Sequence, residues 1–219
     1  DDATGNPANK ATLNDEPPTV QASGFTVTAF SDTTLTLGWT PSSDGDRTLI
    51  AGRENDEADS PVNGTTYTAD ASWTGSGSAV LPNSKAVYAN TGSSVVVTDL
   101  TPASQYYFAA FAYNVAGYKY LLTDAPTLSR WTLSTEPANH VTGLTASGPT
   151  SSSLELGWTG SAGSPAPDGY LLVRKQGSAP TFVPVDGQSY AAGPQGDSIV
   201  IVLSGGTTSR SVSGLSPST

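Results

Sequence analysis

The sequence predicts an all-β chain built from tandem sandwiches, and three features predict it. Apolar residues alternate with polar ones at period two, as in Leu35-Thr36-Leu37-Gly38-Trp39 and Leu154-Glu155-Leu156-Gly157-Trp158. Such alternation puts one face of a strand inside and the other in solvent. The 23 glycines and 16 prolines interrupt the chain too often for long helices. The two halves also repeat each other in order. TLTLGWT at 34–40 matches SLELGWT at 153–159, PVNGTTY at 61–67 matches PVDGQSY at 184–190, and DLTPAS at 99–104 matches GLSPST at 214–219. Because tryptophan and proline fall in register at similar intervals, the matches mark a two-domain array and not a compositional bias.

Read in order, residues 1–16 are an orphan strand and linker. ATLNDEP at 11–17 resembles WTLSTEP at 131–137, the stretch that closes the first full domain. Residues 1–16 are therefore expected to be the trailing strand of a preceding domain, or a strand donated to another copy. Domain 1 spans 17–136. Its strands are expected at the Trp39 run, Thr48–Gly52, Thr65–Ala69, Lys85–Ala89, Ser94–Thr98 and Tyr106–Asn114. Domain 2 spans 137–219, with strands at the Trp158 run, Tyr170–Lys175, Ser189–Ala192, Ser198–Leu203 and Ser209–Ser213. Turn residues separate these runs at sandwich-like spacing.

The expected core follows from the same alternation. Trp39 and Trp158 end alternating strands, so their indoles point inward. Leu100 and Leu215 precede Pro102 and Pro217, which stiffen a strand-to-strand corner. Tyr106 is expected to bury its ring and return its hydroxyl to the backbone, with Phe108, Ala110 and Ala112 on its face. Tyr107, Phe111 and Tyr113 alternate to the other side. They are either covered by a long loop or neighbouring domain, or they form a ligand platform. Trp73, in a Gly/Ser-rich loop, either folds back over the sandwich or stacks on a sugar ring.

Together the tryptophan on the second strand, the Leu100-x-Pro102-x-x-x-Tyr106 run and the alternating strand from Tyr106 to Asn114 resemble fibronectin type III repeats. The resemblance implies seven-stranded Ig-like sandwiches with a tyrosine corner at Tyr106. The Pro-Val-Asn/Asp-Gly-x-x-Tyr element and the Tyr-Tyr-Phe strand resemble repeats of large secreted proteins of Bacteroidota-type bacteria, which implies an exported, extracellular or cell-surface protein. A fold of this kind says little about function.

Domain 2 lacks counterparts of residues 105–132, its last two strands. Three or four inward side chains at about 1.5–3 kcal/mol each rival the about 5–15 kcal/mol by which a whole domain is stable. Domain 2 is therefore expected to need β-structure from beyond its own residues. That structure comes from a continuing chain, from another copy by strand donation, or from a different partner.

Composition excludes several functions. Nineteen acidic against 9 basic residues give a net charge of −10, which argues against nucleic acid and anionic membranes. No apolar run approaches the length of a membrane span. With no cysteine there is no disulfide framework or thiolate chemistry. With no methionine and a start at Asp1, the chain reads as a mature or trimmed fragment. The single histidine, His140, sits in a linker without a nucleophile motif. The acidic stretches 54–59 and Asp44-Gly45-Asp46 are loops in which calcium is conceivable, although they lack the order of a calcium loop; no other cofactor is expected. Asn63-Gly64-Thr65 fits a glycosylation acceptor. Residues 114–119 carry no Arg-Gly-Asp. The expectation is a non-enzymatic structural or adhesive array, part of a surface protein or fibre. Its partners would be neighbouring domains, other copies or glycans. The alternatives are a carbohydrate-binding accessory region of a secreted hydrolase and a fibre subunit completed by strand donation.

Overall fold

The structure, a computed structural model, describes residues 16–216. The expected orphan strand, up to residue 15, and Pro217 lie outside the described residues. The chain divides into two compact units at the Ser134–Thr135 junction. Among the described residues every regular element is a strand.

Unit 1 contains β1 (Ser23–Phe30), β2 (Leu35–Thr40), β3 (Arg47–Glu54), β4 (Ala79–Val80), β5 (Ser84–Asn90), β6 (Ser94–Val97), β7 (Gln105–Asn114), β8 (Lys119–Tyr120) and β9 (Thr127–Trp131). Strands β1-β2-β6 form one antiparallel sheet, and β4-β5-β3-β7 form the other. The short β8 and the longer β9 pair successive stretches of β7. Setting aside the two-residue β4 and β8, this is a three-on-four sandwich of seven strands. The inner faces meet in a core of Leu35, Leu37, Trp39, Ile50, Val87, Val97, Leu100, Tyr106, Phe108 and Ala110. Sheet faces hydrophobic on one side must bury that side against a second layer, and here period two supplies both layers.

A second core lies on the other face of the larger sheet. Leu49, Ala51, Ala86, Ala109, Phe111 and Tyr113 pack there with Tyr67, Val80 and Tyr120. The long 55–83 connection supplies Tyr67 and Val80, and β8 supplies Tyr120. The expected strand at Thr65–Ala69 is absent. The segment is extended but held only by scattered bonds, Ser78 N to Thr68 O (2.8 Å) and Asp70 N to Ala86 O (3.0 Å). Its alternating side chains serve as a lid over the sheet and do not join a ladder.

Unit 2 contains β10 (Thr142–Ser147), β11 (Ser153–Thr159), β12 (Gly169–Arg174), β13 (Gly193–Gln195), β14 (Ser198–Ser204) and β15 (Ser209–Ser213). Sheet β10-β11-β15 repeats β1-β2-β6, and β12-β14-β13 repeats β3-β5-β4. The expected strand at Ser189–Ala192 is also a loop, and β13 begins just after it. Counterparts of β7, β8 and β9 do not occur among the described residues. Among the described residues β12, whose counterpart β3 is central, therefore pairs with β14 alone.

Candidate functional site

Of the two readings of the second aromatic face, cover by a loop and a ligand platform, the structure fits the first for Phe111 and Tyr113. Phe111 and Tyr113 are 2% and 3% exposed, so neither can meet a ligand. Tyr113 lies 5.0 Å from Tyr120 and 6.5 Å from Tyr118, ring centre to ring centre, and Tyr120 meets the edge of Tyr67 at 5.8 Å. Burial pushes the hydroxyls of Tyr113 and Tyr120 above the usual tyrosine range. Tyr107 alone of the three is half-buried. Trp73 is no platform either. It packs against the first core, edge-on to Tyr106 at 4.9 Å, with the Lys85 ammonium 5.8 Å from its ring centre. Lys85 also donates to the carbonyls of Trp73 and Gly75, which ties the 70–77 loop down. The loop folds back because its indole covers more apolar surface there than in water.

The corner between β6 and β7 is built as a closed unit. Tyr106 is fully buried, and its hydroxyl accepts the Thr101 amide at 2.9 Å. Leu100 and Phe108 lie in the core beside it, while Pro102 is half-buried at the rim. Thr132 of the closing segment donates its hydroxyl to Thr101 O at 2.7 Å and accepts the Ser104 amide at 3.1 Å. In unit 2 Leu215 is only half-buried, though its amide reaches Ser152 O (2.9 Å) as Leu100 N reaches Thr33 O (3.0 Å).

The Pro-Val-Asn/Asp-Gly-x-x-Tyr element folds alike in both units. Val62 N donates to the Tyr67 hydroxyl at 3.0 Å, and Val185 N to the Tyr190 hydroxyl at 2.9 Å. Gly64 and Gly187 take φ of 82° and 75°, left-handed values that glycine adopts without steric cost. Only in unit 1 is the turn covered. Asn63 Oδ1 accepts the Tyr120 amide at 2.6 Å, the Tyr120 hydroxyl donates to Thr65 O at 2.9 Å, and Gly64 N donates to Tyr118 O at 3.0 Å. In unit 2 Tyr190 meets Phe182 edge-on at 5.2 Å and stays half-buried.

Four side chains of the acidic stretches, Asp44, Asp46, Asp56 and Asp59, are engaged by the chain itself. Asp44 accepts the Thr19 hydroxyl (2.6 Å) and amide (2.8 Å), the Ser42 hydroxyl (2.9 Å) and the Val20 amide (3.1 Å). These bonds, those from Thr19 foremost, hold its carboxyl down at about 2. Asp46 accepts the Val115 amide at 2.9 Å. Arg53 pairs with Asp56 at 2.8 Å and with Asp59 at 3.7 Å. Burial works to raise Asp59, but bonds from Asn83 and Ser84 and the charge of Arg53 outweigh it and lower the carboxyl. Among the described residues no three of His, Cys, Asp and Glu come together as a metal cage.

One feature escaped the sequence reading, and one expected gap takes a definite shape. Gln21 is a clamp. Its Oε1 accepts the Ala112 amide at 2.9 Å, and its Nε2 donates to Leu121 O and Thr123 O, each at 2.9 Å. The bond from Ser42 Oγ to Val20 O (2.7 Å) recurs as Ser161 Oγ to Asn139 O (2.7 Å), so exposed His140 holds Gln21's place in unit 2. The gap is a groove of ≈570 Å³ in unit 2. It is lined by Leu154, Leu156, Val212 and Leu215, with Arg174 and Ile199 on the facing sheet. The first four residues are counterparts of Leu35, Leu37, Val97 and Leu100, so the groove is the inter-sheet space that Tyr106 and Phe108 fill in unit 1. Beyond it Trp158, which is buried and meets Tyr170 at 6.2 Å, takes the place of Trp39.

No family model matches the sequence, and no curated protein matches it. Solved structures of similar shape include a two-domain fibronectin type III segment of chicken tenascin. It is 17% identical, with 90% of this chain and 84% of that one covered and a TM-score of 0.34. The FN1–FN3 domains of chicken CNTN1 are 15% identical, with 92% and 59% covered and a TM-score of 0.43. The FN3tt structure is 20% identical, with 53% and 95% covered and a TM-score of 0.35. Strand order and pairing, more than this degree of likeness, define the sandwiches described above.

Proposed function

We propose that the chain is a stretch of an extracellular structural or adhesive array without catalytic activity of its own. The observation that carries this reading is the engagement of unit 1's aromatic residues and acidic loops by the unit itself. Phe111, Tyr113 and Trp73 are packed, and the carboxylates of Asp44, Asp46 and Asp59 are bonded to the chain. What recurs from unit to unit is sandwich and turn geometry, as a spacer or fibre requires, and not a constellation of reacting groups. The exported, surface location and the bacterial source rest on the resemblance of the repeat motifs.

Two measurements test the proposal. Antibodies to the chain should label intact, unpermeabilised cells of the source organism, and labelling only after permeabilisation would refute the surface location. A glycan array probed with the 219-residue chain should retain nothing. Binding that is lost in Trp73→Ala would replace the structural reading with that of a carbohydrate-binding accessory region.

A further inference from the structure

We propose that Asn63 is a self-modification site, where the side-chain amide cyclises onto Gly64 and loses ammonia, and that β8 is the gate that controls the reaction. The inference goes beyond the proposed function and does not depend on it. It rests on one turn of unit 1 and on the hairpin that covers that turn.

Asn63 is the one asparagine in the sequence that is followed by glycine. Glycine has no side chain to shield its amide nitrogen, and the space around Gly64 is open, since a Cβ built there meets nothing within 4 Å. Both residues are exposed, so water is at hand. The turn closes through Thr65 N to Val62 O at 3.1 Å, with the positive φ of Gly64, 82°, at its third position. Both reacting groups are nevertheless held by the β8 hairpin. Asn63 Oδ1 accepts the Tyr120 amide at 2.6 Å, and Gly64 N donates to Tyr118 O at 3.0 Å. Ring closure requires the Gly64 nitrogen to release that proton and turn towards Asn63 Cγ, so both bonds must first open. The gate is weakly built. Strand β8 is two residues long and pairs with β7 only through Tyr113↔Tyr120 and Asn114↔Lys119. The turn that leads into it sets Gly117 and Tyr118 at φ of 66° and 49°, and the second value is costly for a residue with a side chain. A short ladder behind a strained turn opens locally while the sandwich stays folded.

The chemistry needs only the chain and water. The Gly64 nitrogen bonds to Asn63 Cγ, the Cγ–Nδ2 bond breaks, and ammonia leaves with the proton that the Gly64 nitrogen gives up. Water then opens the cyclic imide at one carbonyl to give aspartate, or at the other to give isoaspartate, in which the backbone runs through the side-chain carbon. Unit 2 shows what the first product does to the turn. It carries Asp186-Gly187 at that place, with Gly187 at φ 75°, Gln188 N to Val185 O at 3.2 Å and Val185 N to the Tyr190 hydroxyl at 2.9 Å. Aspartate at position 63 therefore keeps the turn and offers the Tyr120 amide a charged acceptor. Isoaspartate instead inserts a methylene between Val62 and Gly64. The Val62 amide and the Tyr67 hydroxyl, 3.0 Å apart, then lose their register, and the lid over the second core loosens.

Mass spectrometry of digests tests this by reading aspartate and isoaspartate at residue 63 as the 219-residue chain stands in mildly alkaline buffer. The free peptide Val62–Tyr67 is the ungated reference. Reaction in the chain should be at least about tenfold slower than in the peptide. Two variants loosen the gate. Gly117→Ala strains the turn into β8, and Tyr120→Phe keeps the ring but removes its bond to Thr65 O. Each should speed the reaction at least about threefold, in step with faster hydrogen exchange at the Gly64 amide. Asn83, which is followed by serine and lies outside the gate, should react at an unchanged rate in both. Equal rates in chain and peptide would overturn the inference, and so would variants in which residue 63 reacts no faster than in the unaltered chain.

Discussion

Units 1 and 2 carry the same strands in the same order up to the corner leucine, yet they differ in what each strand achieves. Leu35 and Leu37 are completely buried, whereas Leu154 and Leu156, at the same places in the same motif, are half-buried. Tyr67 is 8% exposed and roofed by Tyr120, whereas Tyr190 forms the identical turn bond and stays open. The local motif is enough to form the strand or the turn. Burial is supplied by one hairpin, β7 with β8 and β9, which adds side chains to both faces of the larger sheet at once. A central strand is therefore worth more than its own ladder, because it closes two cores.

The largest expected effect exchanges the residues under the inner ring. Gly52 lies opposite Phe108, where an added Cβ would meet the phenyl ring at 2.7 Å. Gly52→Arg should drive Phe108 out of place and bury an unpaired charge, costing unit 1 about 3–5 kcal/mol. The reverse change at the matching place, Arg174→Gly, should cost unit 2 about 1 kcal/mol or less. Unit-resolved hydrogen exchange under denaturant measures both, and comparable losses would break the contrast. Next, Leu35→Ala should cost about 3–5 kcal/mol, the range for a closed core. Leu154→Ala should cost less than about half of that, since its site is already open. Tyr67→Phe should then cost about 1 kcal/mol, through loss of a buried acceptor for Val62 N. Tyr190→Phe should cost under about 0.5 kcal/mol because water replaces the hydroxyl at an open turn.

The smallest effect concerns acid. The Asp44 carboxyl sits at about 2 in the folded chain, against an ordinary 3.8. A depressed carboxyl stabilises the fold above its unfolded value, and that contribution is lost as pH falls through the folded value. The melting-temperature gap between the unaltered chain and Asp44→Ala should thus be constant above about pH 4 and close towards pH 2. Unit 2 has Gly163 at the matching place, so no such acid-sensitive strap is expected there. A gap independent of pH would show that Asp44 acts by packing.

Much of this architecture is legible in the residues, and the missed parts share a cause. The strands around Trp39, Trp158 and Tyr106–Asn114 announce themselves because alternation is a local property. Thr65–Ala69 alternates as well, yet it and Ser189–Ala192 lie outside any ladder, since pairing needs a neighbour that local pattern cannot specify. The fate of Phe111 and Tyr113 was ambiguous for the same reason. A second apolar face reads identically whether a loop or a ligand covers it, and the cover comes from residues 67 and 80, far away in the chain. Gln21 left no signal, because one polar side chain ahead of a strand has no pattern until Ala112 and Leu121 are brought to it. The site features of unit 2 were only partly visible. The matching leucines revealed the gap, but the inward turn of Arg174 depended on where β12 begins.

By itself the sequence determined the β class, the doubling of the sandwich, its turn chemistry and the residues with a claim on the interior, since each is set by neighbours within a few positions. Only the tertiary structure decided which claims are met. It seated Phe111 and Tyr113 under a lid, bonded the acidic loops to the unit's own backbone and aimed Arg174 into a groove. Those outcomes depend on contacts between residues distant in the chain, and the free energy of burial is set by such contacts and not by local pattern.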